Sequence, residues 1–293
     1  MIKIENNHYQ VEIDPHGSQI IKMINKDYNF NYLWNGSEWP KHAPLLFPAI
    51  GRSNDDQYLL NGQIYTMPQH GFAADQEFTV VSHTDDRLVL ELQSNSETKK
   101  LYPFDFKLQT IYQLLSSGLS IGFIVSNLSN DNMPFALGSH PAFNVPLAGQ
   151  GSFDDYYVEF VGNQEPLKIC EIIKKPYPYR TGNLETIATK NNHQLKLNHD
   201  IFAPGLRIIN NQDISEVILH SPKSKHSISL MISDFKNVCL WTKEDQDLPF
   251  LCIEPFNGLP DIYGKPADWY KKEGNLILKP QQEKRIQYEM KLL

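Results

Sequence analysis

The chain has 293 residues, 41% of them hydrophobic and 21% charged, with a formal net charge of −7. That length and apolar content suffice for one large or two ordinary domains with a substantial core. No basic block exceeds a few residues, so the acidic balance argues against a nucleic-acid or anionic-membrane partner and leaves small neutral or cationic ligands open.

The opening, Met1-Ile2-Lys3-Ile4-Glu5-Asn6-Asn7, lacks the apolar core of a signal peptide. No later stretch approaches the roughly 20 apolar residues of a membrane span, so a cytoplasmic protein is expected. From there the pattern is β nearly throughout. Short alternating or β-branched runs occupy residues 9–13, 78–81, 88–92, 106–114, 119–128, 156–160, 216–220, 227–232 and 237–241, each bounded by turn residues. Ser116-Ser117-Gly118 reads as a hairpin turn, the glycine supplying the positive φ such loops need. Long periodic helices are missing; residues 267–273 could form one or two helical turns. Nineteen prolines and sixteen glycines spread along the chain fit many loops rather than one linker. No composition shift or fixed-period repeat marks a boundary, so one antiparallel β-sandwich domain spanning residues 1–293 is the economical expectation. Cys170, Cys239 and Cys252 form no CxxC pair and read as buried thiols in a reducing compartment.

Loops between strands carry the unusual polar residues. In Gly51-Arg52-Ser53-Asn54, Arg52 and Asn54 are two apart, so an extended backbone would put both on one face, where a guanidinium fork beside an amide suits a polyhydroxylated ligand. A surface ion pair and a turn asparagine explain the same residues. His70, in Met67-Pro68-Gln69-His70-Gly71-Phe72, precedes a glycine that lets the chain turn and pushes the imidazole out of the strand pattern. His140, in Gly138-Ser139-His140-Pro141-Ala142-Phe143, lies between small residues and a proline. Either histidine alone reads as structural; two in tightly framed turns invite a site.

The apolar run Phe250-Leu251-Cys252-Ile253 reads as a buried strand ended by Pro255, with Glu254 at its rim. Partial burial there would raise the carboxyl pKa and make a better base; strand capping or an arginine pair is the plainer reading. Trp241, ending the strand before it, could stack on the C–H face of a pyranose or pack in the core. Two histidines and a carboxylate can also hold zinc or iron, but the three are 70 and 114 residues apart and no HxH, HExxH or paired-cysteine spacing supports a metal, so none is expected. No GxSxG elbow and no phosphate-binding glycine loop is present.

Taken together, Leu33-Trp34, Leu46-Phe47-Pro48 with Gly51-Arg52, Met67-Pro68-Gln69-His70-Gly71-Phe72, Tyr102-Pro103-Phe104, Gly138-Ser139-His140-Pro141-Ala142-Phe143 and Ile253-Glu254-Pro255 resemble the galactose mutarotase (aldose 1-epimerase) superfamily. The nearest branch is the LacX-like proteins encoded with lactose and galactose genes in bacteria. The resemblance implies a large β-supersandwich with a carbohydrate cleft on one face and no metal or organic cofactor. It implies that Glu254 is the base and His140 the acid that open and reclose a hexose ring, with His70, Arg52 and Asn54 binding the sugar. The alternative is a carbohydrate-binding or sensing protein of the same fold that lost turnover.

Two departures bear on substrate. Ala74 stands where LacX-like proteins and hexose-6-phosphate mutarotases usually carry an arginine, which points away from a phosphorylated sugar. Residues 201–206 show Pro204-Gly205 where the family places a binding aspartate, Asp200 lying a few residues early. The expected partner is a monosaccharide. Edge strands of such a sandwich could pair two copies into a homodimer, though no stretch of sequence marks one.

Overall fold

The structure is a computed structural model that describes residues 1–210, 213–244 and 246–293. Two large antiparallel sheets form a sandwich. One has nine strands in the order Gln194–Lys196, Tyr157–Val161, Glu216–His220, Ile228–Met231, Glu283–Leu292, Gly118–Asn127, Phe106–Leu115, Arg87–Gln93 and Thr79–His83. The facing sheet runs Tyr179–Thr186, Lys168–Ile173, Arg207–Asn210, Asn237–Trp241, Phe250–Asn257, Leu137–Ser139 and Leu45–Leu46, with Ala142–Asn144 also paired to Phe250–Asn257. Four N-terminal strands, Ile2–Glu5, Tyr9–Asp14, Gln19–Asn25 and Phe30–Asn31, make a smaller antiparallel sheet.

Alternation explains the layers. In Phe106–Leu115 the residues Phe106, Leu108, Thr110, Tyr112 and Leu114 are buried, as a period of two requires of a strand with one face on a core. Its partner Gly118–Asn127 pairs in continuous register from Phe106 opposite Asn127 to Leu115 opposite Gly118. Leu230, Ile286 and Met290 from the nine-stranded sheet meet Ile209, Val238, Leu251 and Ile253 from the other in one apolar cluster. Between the sheets the Tyr288 hydroxyl, itself buried, donates to the Ser139 hydroxyl at 2.8 Å.

Two expectations of local structure need correction. Pro255 does not end its strand, which runs Phe250–Asn257 and is buried throughout. Residues 267–273 form turns rather than a helix, because their backbone is used elsewhere: Leu59 donates to the Ala267 carbonyl and Trp269 donates back to Leu59. Among the described residues the α-helix is instead Ser96–Leu101, started by a capping box in which Asn95 accepts from Glu97 and Thr98 while the Thr98 hydroxyl accepts from Asn95. No helix among the described residues is long and apolar enough to cross a membrane.

Candidate active site

The strand Phe250–Asn257 has two different faces. Leu251 and Ile253 enter the core between the sheets, whereas Phe250, Cys252, Glu254 and Phe256 alternate onto the other side. On that side lies a cleft of about 450 Å³ whose lining includes Glu254, His140, His70, Arg52, Trp39 and Trp241.

A break in one neighbouring strand sets up its floor. Leu137 and Gly138 pair with Asn257 and Phe256, and Ala142, Phe143 and Asn144 pair with Cys252, Leu251 and Phe250. The two segments share one register, which places His140 directly opposite Glu254 in the gap between them. Pro255 fits there for the same reason: its missing N–H would point toward Ser139, where the ladder is already interrupted, so it removes no pairing bond. The His140 N–H donates to the Pro44 carbonyl at 3.1 Å, and Ile253 N–H to the Pro141 carbonyl at 3.2 Å, so both ends of the gap stay anchored.

His140 Nε2 lies 3.3 Å from Glu254 Oε1. The residues are 8% and 3% exposed, so Glu254 belongs to the floor of the cleft rather than its rim. Burial acts on both partners in opposite senses. It pushes the Glu254 carboxyl well above the usual carboxylate range and holds the His140 imidazole well below its ordinary value, with the neighbouring His70 adding to the depression. The expected rise of Glu254 is present, while His140 is displaced from neutrality rather than poised there. On its other side Glu254 faces Cys239 in register; the thiol donates to the Leu240 carbonyl at 3.6 Å, and its nearness offsets a small part of the rise in the carboxyl pKa. The rings of Trp39 and His140 stack at 5.2 Å and 27°, and Trp241 meets His140 edge-on at 5.9 Å.

His70 reaches the same floor, its ring centroid 5.8 Å from that of His140. It holds a positive φ of 67°, and Gly71 beside it, at φ 80°, has no room for a side chain: a Cβ would lie 2.2 Å from the Phe47 carbonyl oxygen. That close approach lets Phe72 and Ala73 donate to the Phe47 carbonyl at 3.0 and 3.1 Å. Gly51 N–H donates to His70 Nδ1 at 3.1 Å, which puts the neutral ring's proton on Nε2. The Gln69 amide nitrogen, 3.4 Å from Nε2, is too distant to compete. Burial, with Lys41 and Arg52 nearby, pushes His70 down to about 4, so it faces the cleft as a neutral donor.

Arg52 lines the cleft with its fork committed to Asp56 at 2.8 Å and Gln69 at 3.0 Å, its plane 4.3 Å from the Tyr177 ring centre. Asn54 does not share that face. After Ser53 the chain enters a 3-10 turn, Asn54–Asp56, and the Asn54 side chain is buried behind the wall. Its Nδ2 donates to Asp261, Ile262 and Lys265, and its Oδ1 accepts from Gly264 N–H. Both its donor hydrogens and its oxygen are engaged in holding the segment 261–265, away from the cleft, which corrects the expectation of a sugar contact. Asp261 in turn pairs with the buried Lys272 at 2.6 Å.

Trp241 lines the cleft, its Nε1 donating to Glu244 at 3.3 Å. Sequence reasoning missed Trp39, Cys239 and Glu244. A signal for Trp39 was present, since a tryptophan in Asn35-Gly36-Ser37-Glu38-Trp39-Pro40 has no strand face on which to pack. The structure closes that loop through Trp34 Nε1 to the Trp39 carbonyl at 3.1 Å and Lys243 to the Glu38 carbonyl at 3.0 Å. Glu244 stands beside Gly205, so a carboxylate borders residues 204–206 although that segment has none.

The chain is similar to the chromosomal protein LacX of Lactococcus lactis subsp. lactis, 29% identical over 270 residues and 88% of each chain. A galactose mutarotase-like protein from Lactobacillus casei superposes with a TM-score of 0.95 at 41% identity over the whole of both chains. A galactose mutarotase related enzyme from Lactobacillus acidophilus does so with a TM-score of 0.92 at 29% identity, over 100% of this chain and 97% of that one. With the family model described as aldose 1-epimerase matching residues 1–289 and the mutarotase-like sandwich already in hand, the chain belongs to the aldose 1-epimerase family.

Proposed function

We propose that the whole chain works as one unit, an aldose 1-epimerase that interconverts the α and β anomers of an unphosphorylated hexose in the cytoplasm without a metal or organic cofactor. The observation that carries this reading is the His140–Glu254 pair, 3.3 Å apart and in register on the floor of a cleft. The hemiacetal hydroxyl and the ring oxygen are bonded to one carbon, so two proton-handling groups in contact reach both at once.

In the reaction Glu254 takes the proton of the C1 hydroxyl as His140 gives its proton to the ring oxygen. The bond between C1 and the ring oxygen breaks, leaving a C1 aldehyde and a free hydroxyl. Rotation about the C1–C2 bond presents the other carbonyl face; the hydroxyl then attacks it, His140 takes the hydroxyl proton back and Glu254 protonates the new C1 oxygen. Atoms and protons balance, and the pair ends as it began. Burial raises the proton affinity of Glu254 and lowers that of His140, so the carboxylate takes the C1 proton readily and the imidazolium gives its own up readily. His70 donates Nε2–H to a sugar oxygen, Arg52 borders the hydroxyls, and Trp39 and Trp241 offer aromatic faces to the ring's C–H face.

Support for a free sugar comes from Ala74, which lines the cleft without charge, and from the balance of Lys41 and Arg52 against Asp75 and Glu244 on the same walls. Polarimetry on freshly dissolved α-D-glucose and α-D-galactose tests the proposal, with sugar binding followed by tryptophan fluorescence. Wild type is expected to exceed the spontaneous rate, and Glu254→Gln to lose about 10²–10⁴-fold of that gain. Should sugar bind while both proteins match the spontaneous rate, the chain is a carbohydrate-binding protein of this fold toward those sugars.

A further inference from the structure

Beside its acid and base, just beneath the cleft floor, lies a buried thiol that the proposed reaction does not use, Cys252. Cys252 and Glu254 are two apart on Phe250–Asn257 and project to the same side, while His140 comes from the opposing segment. One donor atom from each of His140, Cys252 and Glu254 lies within 4.8 Å of the others. We propose that these three side chains form a binding site for a thiophilic divalent cation, zinc foremost, and that the bound ion inhibits the enzyme by occupying its acid and base.

The donor chemistry selects the ion. Nitrogen, sulfur and oxygen together suit borderline zinc, whereas calcium and magnesium need oxygen sets that this floor lacks. Three protein ligands with a fourth position open to the cleft is a geometry zinc adopts readily. Bond lengths of about 2.0–2.3 Å place tetrahedral donors about 3.5 Å apart, which the His140–Glu254 separation of 3.3 Å already meets. Cys252 has to close by about 1 Å, within reach of a side-chain adjustment.

Charge favours the complex too. A dication with one thiolate and one carboxylate is neutral overall, the arrangement a buried site tolerates best. A second observation points the same way: His140 Nδ1 is buried with no hydrogen-bond partner. An imidazole held by one nitrogen alone can turn to present either to an ion, and coordination offsets an otherwise costly orphan. Cys239, on the adjacent strand, faces Glu254 but stands outside the three-donor group.

Only the inhibitory half rests on the mutarotase reading, so the test separates the two. Chelator-treated protein is titrated with Co²⁺ alone, following the near-ultraviolet thiolate-to-cobalt absorption, and Zn²⁺ is then added in competition. Wild type and Cys239→Ala are expected to develop the band and lose it to zinc. Cys252→Ala is expected to show no band and to bind zinc at least about 10-fold more weakly. In polarimetry with chelator present, Cys252→Ala should match wild type, yet need at least about 10-fold more zinc for equal inhibition. Should Cys252→Ala not fold, Glu254→Gln serves for binding: its zinc affinity must also fall. Absence of a thiolate band in wild type, or undiminished zinc binding by folded Cys252→Ala, overturns the site. Zinc that binds through Cys252 without slowing mutarotation overturns the inhibition, and a wild type without mutarotase activity leaves the binding arm to decide the site.

Discussion

The wall behind Arg52 depends on a charge pair that solvent does not reach, and the consequence of breaking it can be worked from the structure. Lys272 and Asp261 side chains are 5% and 1% exposed, with Nζ and Oδ1 2.6 Å apart. The other carboxylate oxygen accepts the Asn54 backbone N–H at 3.0 Å and its Nδ2 at 3.3 Å. Lys272→Met keeps the volume and removes the cation, leaving a buried carboxylate supported by amides alone. Loss of one partner from such a pair costs about 3–5 kcal/mol. Arg180 lies close enough to depress Lys272 and would partly compensate the orphan, so the lower figure, about 3 kcal/mol, is expected. In urea unfolding followed by tryptophan fluorescence, a slope of about 3 kcal/mol/M turns this into a midpoint shift of about 1 M. Asp261→Asn added to Lys272→Met should recover much of the loss, because the amide oxygen still accepts from Asn54 and no charge is stranded. Asp261 N–H also donates to the Arg52 carbonyl at 3.2 Å, so the single variant should raise KM more than it lowers kcat. A Lys272→Met protein within about 1 kcal/mol of wild type, or a double variant as unstable as the sum of its parts, would refute the reasoning.

Three further outcomes are expected. His70 is held neutral with its pKa down to about 4 against an unfolded value near 6.5, so the unfolded chain binds more protons between these values and stability falls as pH drops from about 6.5 to 4. The slope of Tm against pH should flatten over that window in His70→Gln, and an unchanged slope would count against burial as the cause. Trp39→Ala removes the ring stacked on His140 and should raise KM for sugar at least about 10-fold, with kcat also falling as the imidazole loses its support. Cys239→Ala removes the thiol that faces Glu254 in register and holds its carboxyl pKa down, and should move the basic pKa of the kcat/KM profile upward, while Cys239→Ser, which keeps a polar hydrogen there, restores it. Equal profiles for the two variants would reduce Cys239 to packing.

Much of this was legible because strands write themselves in alternation. Phe106–Leu115 and Gly118–Asn127 show their period of two and their intervening serines plainly. The glycine and proline frames around His70 and His140 likewise announced turns, and turns are where side chains leave the ladder. What failed depended on partners distant in sequence. Asn54 looked like Arg52's companion until Asp261, Ile262 and Lys265, more than 200 residues later, claimed its amide. Residues 267–273 carry helix formers, yet pairing with Leu59 took their backbone. The helix Ser96–Leu101 had its own signal in Asn95 and Thr98, outweighed in reading by the surrounding β pattern.

Pro255 is the most instructive of these, because its placement and the site's chemistry have a single cause. A proline inside a central strand is tolerated only where no neighbour needs its N–H, and the interruption at Ser139-His140-Pro141 is such a place. The same interruption frees His140 from the ladder while register keeps it opposite Glu254, so the distance between the proposed acid and base is fixed by the spacing of sheet strands rather than by a flexible loop. A substrate therefore meets a pair whose geometry is settled before binding. The energy of assembling it has already been met by the packing of Phe250–Asn257, a strand buried along its whole length. Proline after the glutamate and proline after the histidine are then two marks of one break, which is why Ile253-Glu254-Pro255 and Ser139-His140-Pro141 stand in this sequence as matching triplets.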